Sequence, residues 1–290
     1  MYIGSSNIWN MGFPYRLRLY IGGKTEKTTA SGNDSIVPFD APRRFLRLTH
    51  TRLSITATMN DKSSIIRMFH VYKRYPTKNA ILDISLSIKR NEFIMISGPS
   101  GAGKSTLLKL MYLAEPVSEG QIIIDGMNLS RINGSRIPTL RRMFGIIFQD
   151  FKLIPNKTVF ENIALVLEVA GVNNRLIQKK ISSVLRIVGM ENKINAYPPS
   201  LSGGEQQRVA VARAVVGDPK IILADEPTGS LDPESAESII QLLKGYHKRG
   251  ATIIIATHDQ NLIKNTTGRI IFLKQGQLVH EHFESPMTLF

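Results

Sequence analysis

No cysteine occurs in the 290-residue chain. Disulfides and thiolate metal sites are therefore excluded, which fits a reducing compartment without requiring one. Long apolar runs are missing as well: none approaches the roughly 18–20 residues that a membrane-crossing helix needs. The first residues do not read as a charged-then-apolar leader, so work at a membrane is expected to require a partner that holds the chain there. Tryptophan occurs once, at Trp9. Acidic side chains are outnumbered, 23 against 37 Lys and Arg, for a formal net charge of +14. That excess suits an anionic lipid surface, nucleic acid or an acidic partner, or it serves solubility alone. With 42% hydrophobic residues the chain can still build a core.

What the chain does have is a glycine loop. Gly98, Pro99, Ser100, Gly101, Ala102, Gly103, Lys104 and Ser105, followed by Thr106, read G-x-x-x-x-G-K-[ST]. The apolar run 93–97 before it suits a buried strand, and residues 106–112 after it suit a helix. Strand, loop and helix are the setting in which this pattern binds phosphate. Gly98, Gly101 and Gly103 can take backbone angles closed to other residues, so that successive N–H groups turn inward on one anion. The helix start adds its positive dipole end. Lys104 is expected to reach the β- and γ-phosphates of a nucleotide, and the Ser105 hydroxyl to ligate Mg²⁺. Such a pattern arises by chance in roughly one chain in a hundred, so the rest of the chain is the test.

Residues 1–58 read as a basic, disordered N-terminal extension. Eight Lys and Arg oppose three acidic residues there, Ser, Thr, Gly and Asn punctuate it, and no helical or strand period persists. It could touch anionic lipid; alternatively, translation begins at Met59. Residues 59–290 carry the globular pattern. A strand is expected at 65–71, and Leu82, Ile84, Leu86 and Ile88 alternate with Asp83, Ser85, Ser87 and Lys89, as in an antiparallel sheet with one wet face. Residues 72–76 read as the connection, with an aromatic placed to stack on a purine. Further strands are expected at 121–125, 145–148, 220–225, 252–256, 269–273 and 277–279. A helical insert covers about 158–217. It opens on the capping box Thr158–Glu161, continues with Leu176, Ile177, Ile181, Val184, Leu185 and Val188 at helical spacing, breaks at Pro198 and Pro199, and ends in a helix from about Gly204. Asp232 and Pro233 mark another helix start, and Gly250 its end. Alternating strands and helices predict a mostly parallel sheet covered on both faces.

Two more stretches bear on chemistry. Residues 221–226 place Asp225 and Glu226 at the end of an apolar strand, a Walker B arrangement. Asp225 would support Mg²⁺ through a bound water. Glu226 would polarise an attacking water as general base, a role worth about 10²–10⁴-fold. Leu201, Ser202, Gly203, Gly204, Glu205, Gln206 and Gln207 put a hydroxyl and two glycines before a helix, a second anion-binding helix start.

That stretch resembles the signature motif of the ATP-binding cassette (ABC) family, and the other family elements match in order and spacing over about residues 65–280. Tyr75 is similar to the aromatic that stacks on adenine. Gln149 resembles the glutamine that contacts Mg²⁺ and the attacking water. Residues 229–232, ending at Asp232, resemble the D-loop, and His258 resembles the histidine that contacts the γ-phosphate. The resemblance implies an α/β fold, the P-loop nucleotide-binding domain of the ABC type, with a RecA-like core, an antiparallel β-subdomain and an α-helical subdomain. It implies ATP and Mg²⁺ as cofactors, with Lys104, Gln149, Glu226 and His258 in catalysis and Ser105, Gln149 and Asp225 at the metal. It also implies a homodimer facing head to tail, in which ATP on one P-loop is capped by Ser202, Gly203, Gly204 and Glu205 of the other subunit.

Within the family, residues 138–142, 145–153 and 158–162 resemble the FtsE branch, the ATPases of bacterial cell division. The Arg141-Arg142 pair and the step Phe148-Gln149-Asp150 carry that likeness, while residues 203–209 and 223–229 are shared with the lipoprotein-release and macrolide-export branches, so the ATPase subunit of such an exporter is the alternative reading. The FtsE likeness implies a peripheral place on the cytoplasmic face of the bacterial inner membrane and an integral membrane partner, an FtsX-like permease subunit, touched by residues about 150–157. A nucleic-acid-associated ABC ATPase is the remote alternative: the basic charge suits it, but the chain has one cassette and no long coiled-coil insert between Lys104 and Asp225.

Overall fold

The computed structural model describes residues 63–264 and 267–283; the expected extension 1–58 and Met59 lie outside them. Two sheets form. The first is antiparallel, built from β1 (Ser64–Tyr75), β2 (Lys78–Lys89), and, across a helix, β4 (Glu119–Ile124) and β5 (Met127–Asn128), in the order β2-β1-β4-β5. Ile84, Leu86 and Ile88 are buried while Asp83, Ser85 and Ser87 are exposed, as their alternation dictates. β1 does not stop at Val71. It continues through residues 72–75, which were expected to be a connection, because Arg74 pairs with Asn79 and Tyr75 with Lys78 across the hairpin. Its register shifts between Met68 and Val71, where His70 takes a left-handed φ of 45°. This bulge lets a long strand bend.

The second sheet carries the glycine loop and the strand ends around it. Its strands are β3 (Phe93–Ser97), β6 (Phe144–Ile147), β7 (Ile221–Asp225), β8 (Thr252–Ala256), β9 (Arg269–Lys274) and β10 (Gln277–Phe283), in the order β10-β9-β3-β8-β7-β6. β9, β3, β8, β7 and β6 are parallel neighbours, and β10 returns antiparallel beside β9. Successive residues of a strand point to opposite faces, and both faces are covered. Met95, Ile222, Ala224, Ile253 and Ile255 belong to one apolar core, and Ile94, Ile96, Leu223, Ile254 and Ala256 to the other. Each isoleucine buried in this way contributes about 1.5–3 kcal/mol.

Helix α1 (Lys104–Met111) follows β3, and the short α2 (Ile137–Arg141) precedes β6. The helical insert holds α3 (Val159–Val169), α4 (Asn174–Ile187) and α5 (Gly203–Val215); α6 (Pro233–Lys248) and α7 (Gln260–Lys264) come after β7 and β8. Both halves of the capping box at Thr158 and Glu161 are made. α4 buries Ile177, Ile181, Val184 and Leu185, but Leu176 is exposed: it occupies the third helical position, about 100° off the stripe. The three helices of the insert share one core with a face of the second sheet.

Candidate nucleotide-binding site

Three strand ends and one hairpin converge on the glycine loop. β3 delivers the loop, β7 delivers Asp225 and Glu226 beside it, and β8 leads to His258. The loop's shape requires glycine at two tight points. A Cβ on Gly98 would lie 2.1 Å from the Leu273 carbonyl oxygen, and one on Gly103 would lie 2.6 Å from that of Ala80. Both take positive φ, 145° and 107°. The turn between β9 and β10 braces the loop from behind, Gly276 N–H donating to the Ala102 carbonyl at 3.0 Å.

α1 begins at Gly103 with no side-chain cap and no acidic residue in its first turn. The orphan N–H groups of a helix start are thus offered to an anion rather than satisfied internally. Lys104 is buried; its Nζ donates to the Gly98 carbonyl at 2.8 Å and lies 3.6 Å from Glu226 Oε1. Ser105 Oγ donates to Asp225 Oδ1 at 3.0 Å. Burial pushes the Asp225 carboxyl up from its ordinary value, with the Ser105 hydroxyl opposing. Glu226 is buried and holds a left-handed φ of 48°. Its Oε1 lies 2.7 Å from His258 Nδ1, so two of the expected catalytic side chains are in direct contact.

The resulting cavity holds about 310 Å³ and is lined by Ser100, Gly101, Ala102, Gly103, Lys104, Ser105, Thr106, Gln149, Glu226 and His258, together with Lys78 and Ala80. Asp225 meets the site through Ser105 and, like Gly98 and Pro99, does not itself line the cavity. Lys78 and Ala80 were not expected. They come from the β1–β2 hairpin folded over the glycine loop, and their only signal in the sequence is proximity to Tyr75. Tyr75 does not line the cavity. It ends β1 opposite Lys78, and its hydroxyl donates to the Glu115 carboxylate.

The signature residues lie elsewhere. Ser202 caps α5, its Oγ accepting from Glu205 N–H at 3.2 Å while Glu205 Oε2 accepts from Ser202 N–H at 2.8 Å. Asp232 caps α6 by accepting from Ser235 N–H at 2.9 Å. The two helix starts are neighbours, because a Cβ on Gly204 would fall 2.6 Å from Ser235 Oγ. None of Ser202, Gly203, Gly204, Glu205 or Asp232 lines the cavity. Capping N–H groups hold the carboxyls of Glu205 and Asp232 below the usual range. Sequence reasoning gave Gln207 no role of its own. It is buried and donates through Nε2 to the Pro227 carbonyl at 2.7 Å, tying the signature helix to the segment after Glu226.

A model of the ABC transporter family matches residues 81–229, just over half of the chain. The chain belongs to the ABC family. It is an ATP-binding cassette and an ATPase of that type, with the P-loop fold seen in solved cassettes. The cell division ATP-binding protein FtsE of Streptococcus pneumoniae serotype 2 is 43% identical over 219 residues, 75% of this chain and 95% of that protein. The methionine import ATP-binding protein MetN of Photobacterium profundum is 41% identical over 204 residues, 70% of this chain and 59% of that protein. A dimeric, post-hydrolysis structure of the ATP-binding cassette MJ0796 bound to ADP and Pi superposes with a TM-score of 0.71 at 36% identity, covering 75% of this chain and 98% of that one.

Proposed function

We propose that this ABC ATPase is the FtsE-like subunit of a membrane complex, coupling ATP-driven closure of a homodimer to an FtsX-like partner in bacterial cell division. One observation carries the coupling. Phe148 lines an apolar cleft of about 650 Å³ and its neighbour Gln149 lines the nucleotide cavity. The cleft lies between α2, β6 and the end of α3, and includes Ile137, Phe144, Val166 and Val169, with Arg141, Arg142, Lys152 and Arg213 among its polar lining. Arg213 holds the chain after Gln149 in place, donating to the Phe151 carbonyl at 2.7 Å. A partner segment seated there would bear on the strand end that carries Gln149. The segment expected to meet the partner, 150–157, contributes Lys152.

The FtsE assignment draws on the Arg141-Arg142 pair and the Phe148-Gln149-Asp150 step, and on length: the likeness spans 95% of FtsE but 59% of MetN. Among the described residues no helix is long and apolar enough to cross a membrane, which suits a peripheral place at the cytoplasmic face, held by the partner.

In hydrolysis Lys104 and the α1 N–H groups would hold the phosphates, while Glu226, steadied by His258, would polarise the attacking water. Ser202 and Gly204 of a second subunit would complete the site. The donors around Ser105 fit Mg²⁺: a hydroxyl, the Asp225 carboxylate and the Gln149 amide oxygen are hard ligands. Among the described residues no group of three or more His, Cys, Asp or Glu is placed to hold a metal ion by itself. Bound there, the ion would neutralise charge on the phosphates. Affinity capture of the native complex tests the reading. An FtsX-like protein should be recovered; a lipoprotein-release, macrolide-export or methionine-import permease in its place would overturn it.

A further inference from the structure

We propose that Glu115 is a positioning residue for the nucleotide base, fixing the Tyr75 ring against which adenine stacks. The inference rests on the reading of Tyr75 as the base-stacking residue and adds to it the device that sets the ring. Tyr75 is the last residue of β1 and pairs in register with Lys78, which lines the cavity. The ring therefore stands at the cavity's rim. Its one polar atom, the hydroxyl, donates to the Glu115 carboxylate in the segment after α1. A tyrosine side chain has two rotatable bonds, so a ring tethered at its backbone and at its hydroxyl has both torsions set.

Glu115 is itself held. Lys73 Nζ lies 3.2 Å from its carboxylate and Lys109 Nζ 3.8 Å. Lys73 is anchored in turn by donating to the Pro116 carbonyl at 3.0 Å. The side chains of Lys73 and Glu115 are only 11% and 25% exposed, so solvent screens this pair less than a surface ion pair. The Tyr75 hydroxyl, ahead of the two lysines, holds the Glu115 carboxyl below the usual range despite partial burial, and the acceptor is ionised at neutral pH.

Lys73 has a second contact. Its Nζ sits over the Tyr75 ring, 5.0 Å from the centroid. One face of the ring is thus taken by an ammonium group, and a purine can stack only on the other. Lys73, Tyr75 and Glu115 together form a preset platform with one open face. Presetting lowers the ordering cost that a mobile aromatic would incur on binding.

Equilibrium binding of ATP and of inorganic tripolyphosphate, which lacks a base, to the full chain separates this role from a purely structural one. Glu115→Gln keeps the shape but removes the charge that the hydroxyl answers, and Tyr75→Phe removes the hydroxyl but keeps the ring. Each should weaken ATP about 3- to 10-fold and tripolyphosphate less than about twofold. The double variant should bind ATP no more weakly than either single one, because both remove the same bond. Tyr75→Leu should weaken ATP about 10-fold or more. If Tyr75→Leu weakens ATP but Glu115→Gln binds it as the natural chain does, the positioning role fails and the stacking role stands. If Tyr75→Leu leaves ATP binding unchanged, the stacking role fails and the proposal with it. If Glu115→Gln weakens ATP and tripolyphosphate equally, Glu115 merely braces the phosphate loop, and the proposal is overturned.

Discussion

The chain presents two glycine-led helix starts, and they are finished in opposite ways. At the start of α1 there is no side-chain cap and no acid in the first turn, so the backbone N–H groups and Lys104 face a cavity prepared for an anion. At the start of α5 the capping box is closed, with Glu205 in the first turn. Its carboxylate accepts the Ser202 N–H and sets a negative charge at the helix start. On the proposed reading the first cradles phosphate in a single subunit and the second does not. What α5 keeps is the hydroxyl hydrogen of Ser202, since accepting from Glu205 N–H leaves that donor to spare, and the N–H groups of Gly203 and Gly204, which lie outside the box. That is enough to touch a phosphate already bound elsewhere. The contrast suits a division of labour in which the P-loop binds ATP and another subunit's signature helix completes the site.

The largest expected effect breaks the comparison at the P-loop side. Glu226→Gln should lower turnover by about 10²–10⁴-fold while ATP affinity stays within a few-fold, so that a nucleotide-bound dimer accumulates in size-exclusion chromatography. Turnover near that of the natural chain would remove Glu226 from the role of base. Lys104→Ala should act on binding itself. The loss of a charge-assisted contact to the phosphates should cost on the order of 100-fold in ATP affinity, measured on the subunit alone; unchanged affinity would remove Lys104 from its phosphate role.

The signature side should respond differently. Ser202→Ala ought to leave ATP affinity of the single subunit within about twofold and reduce hydrolysis about 10-fold or more, because on the proposed reading its bond to phosphate is made only across the dimer. Removing the cap should also cost about 1 kcal/mol of stability. Equal loss of single-subunit binding in Ser202→Ala and Lys104→Ala would abolish the distinction between the two helix starts.

The P-loop and Walker B residues are legible in the sequence because phosphate chemistry demands particular residue types at fixed local spacing. Ser100 through Thr106, Gln149, Glu226 and His258 do converge on one cavity. A mostly parallel sheet is likewise implied by alternating strands and helices whose apolar runs must be buried on both faces, but its strand order is not. What the sequence hides depends on pairing between distant segments. β1 runs on to Tyr75 only because β2 pairs with residues 74 and 75, and that pairing brings Lys78 and Ala80 over the loop. The brace from Gly276 to Ala102 and the bond from Gln207 to Pro227 join positions far apart in the chain. The apolar cleft beside Gln149 takes its walls from α2, β6, α3 and α5, none of which is amphipathic in a way that announces a cleft.

The smallest effects sharpen the same contrast through stability. Burial raises the pKa of Asp225, so its charged form is the disfavoured one in the ligand-free fold. Between its ordinary and its raised value the folded chain binds more protons than the unfolded one, and stability falls as pH rises through that window. Capping N–H groups lower the pKa of Glu205, so its contribution is present above the ordinary carboxylate value and is lost as pH falls through the lowered one. At neutral pH the two neutralising variants should therefore move in opposite directions. Asp225→Asn should raise the thermal midpoint of the nucleotide-free chain, and Glu205→Gln should lower it. Each shift should be on the order of 1–3 °C, given about 2–4 °C per kcal/mol for a domain of this size. Scanning calorimetry at pH 7 and again near pH 4 tests both signs, since the Glu205→Gln deficit should shrink on acidification. If both midpoints fall, the Asp225 carboxylate is stabilised by Ser105 more than burial penalises it; if both rise, the capping bonds of Glu205 do not stabilise the fold.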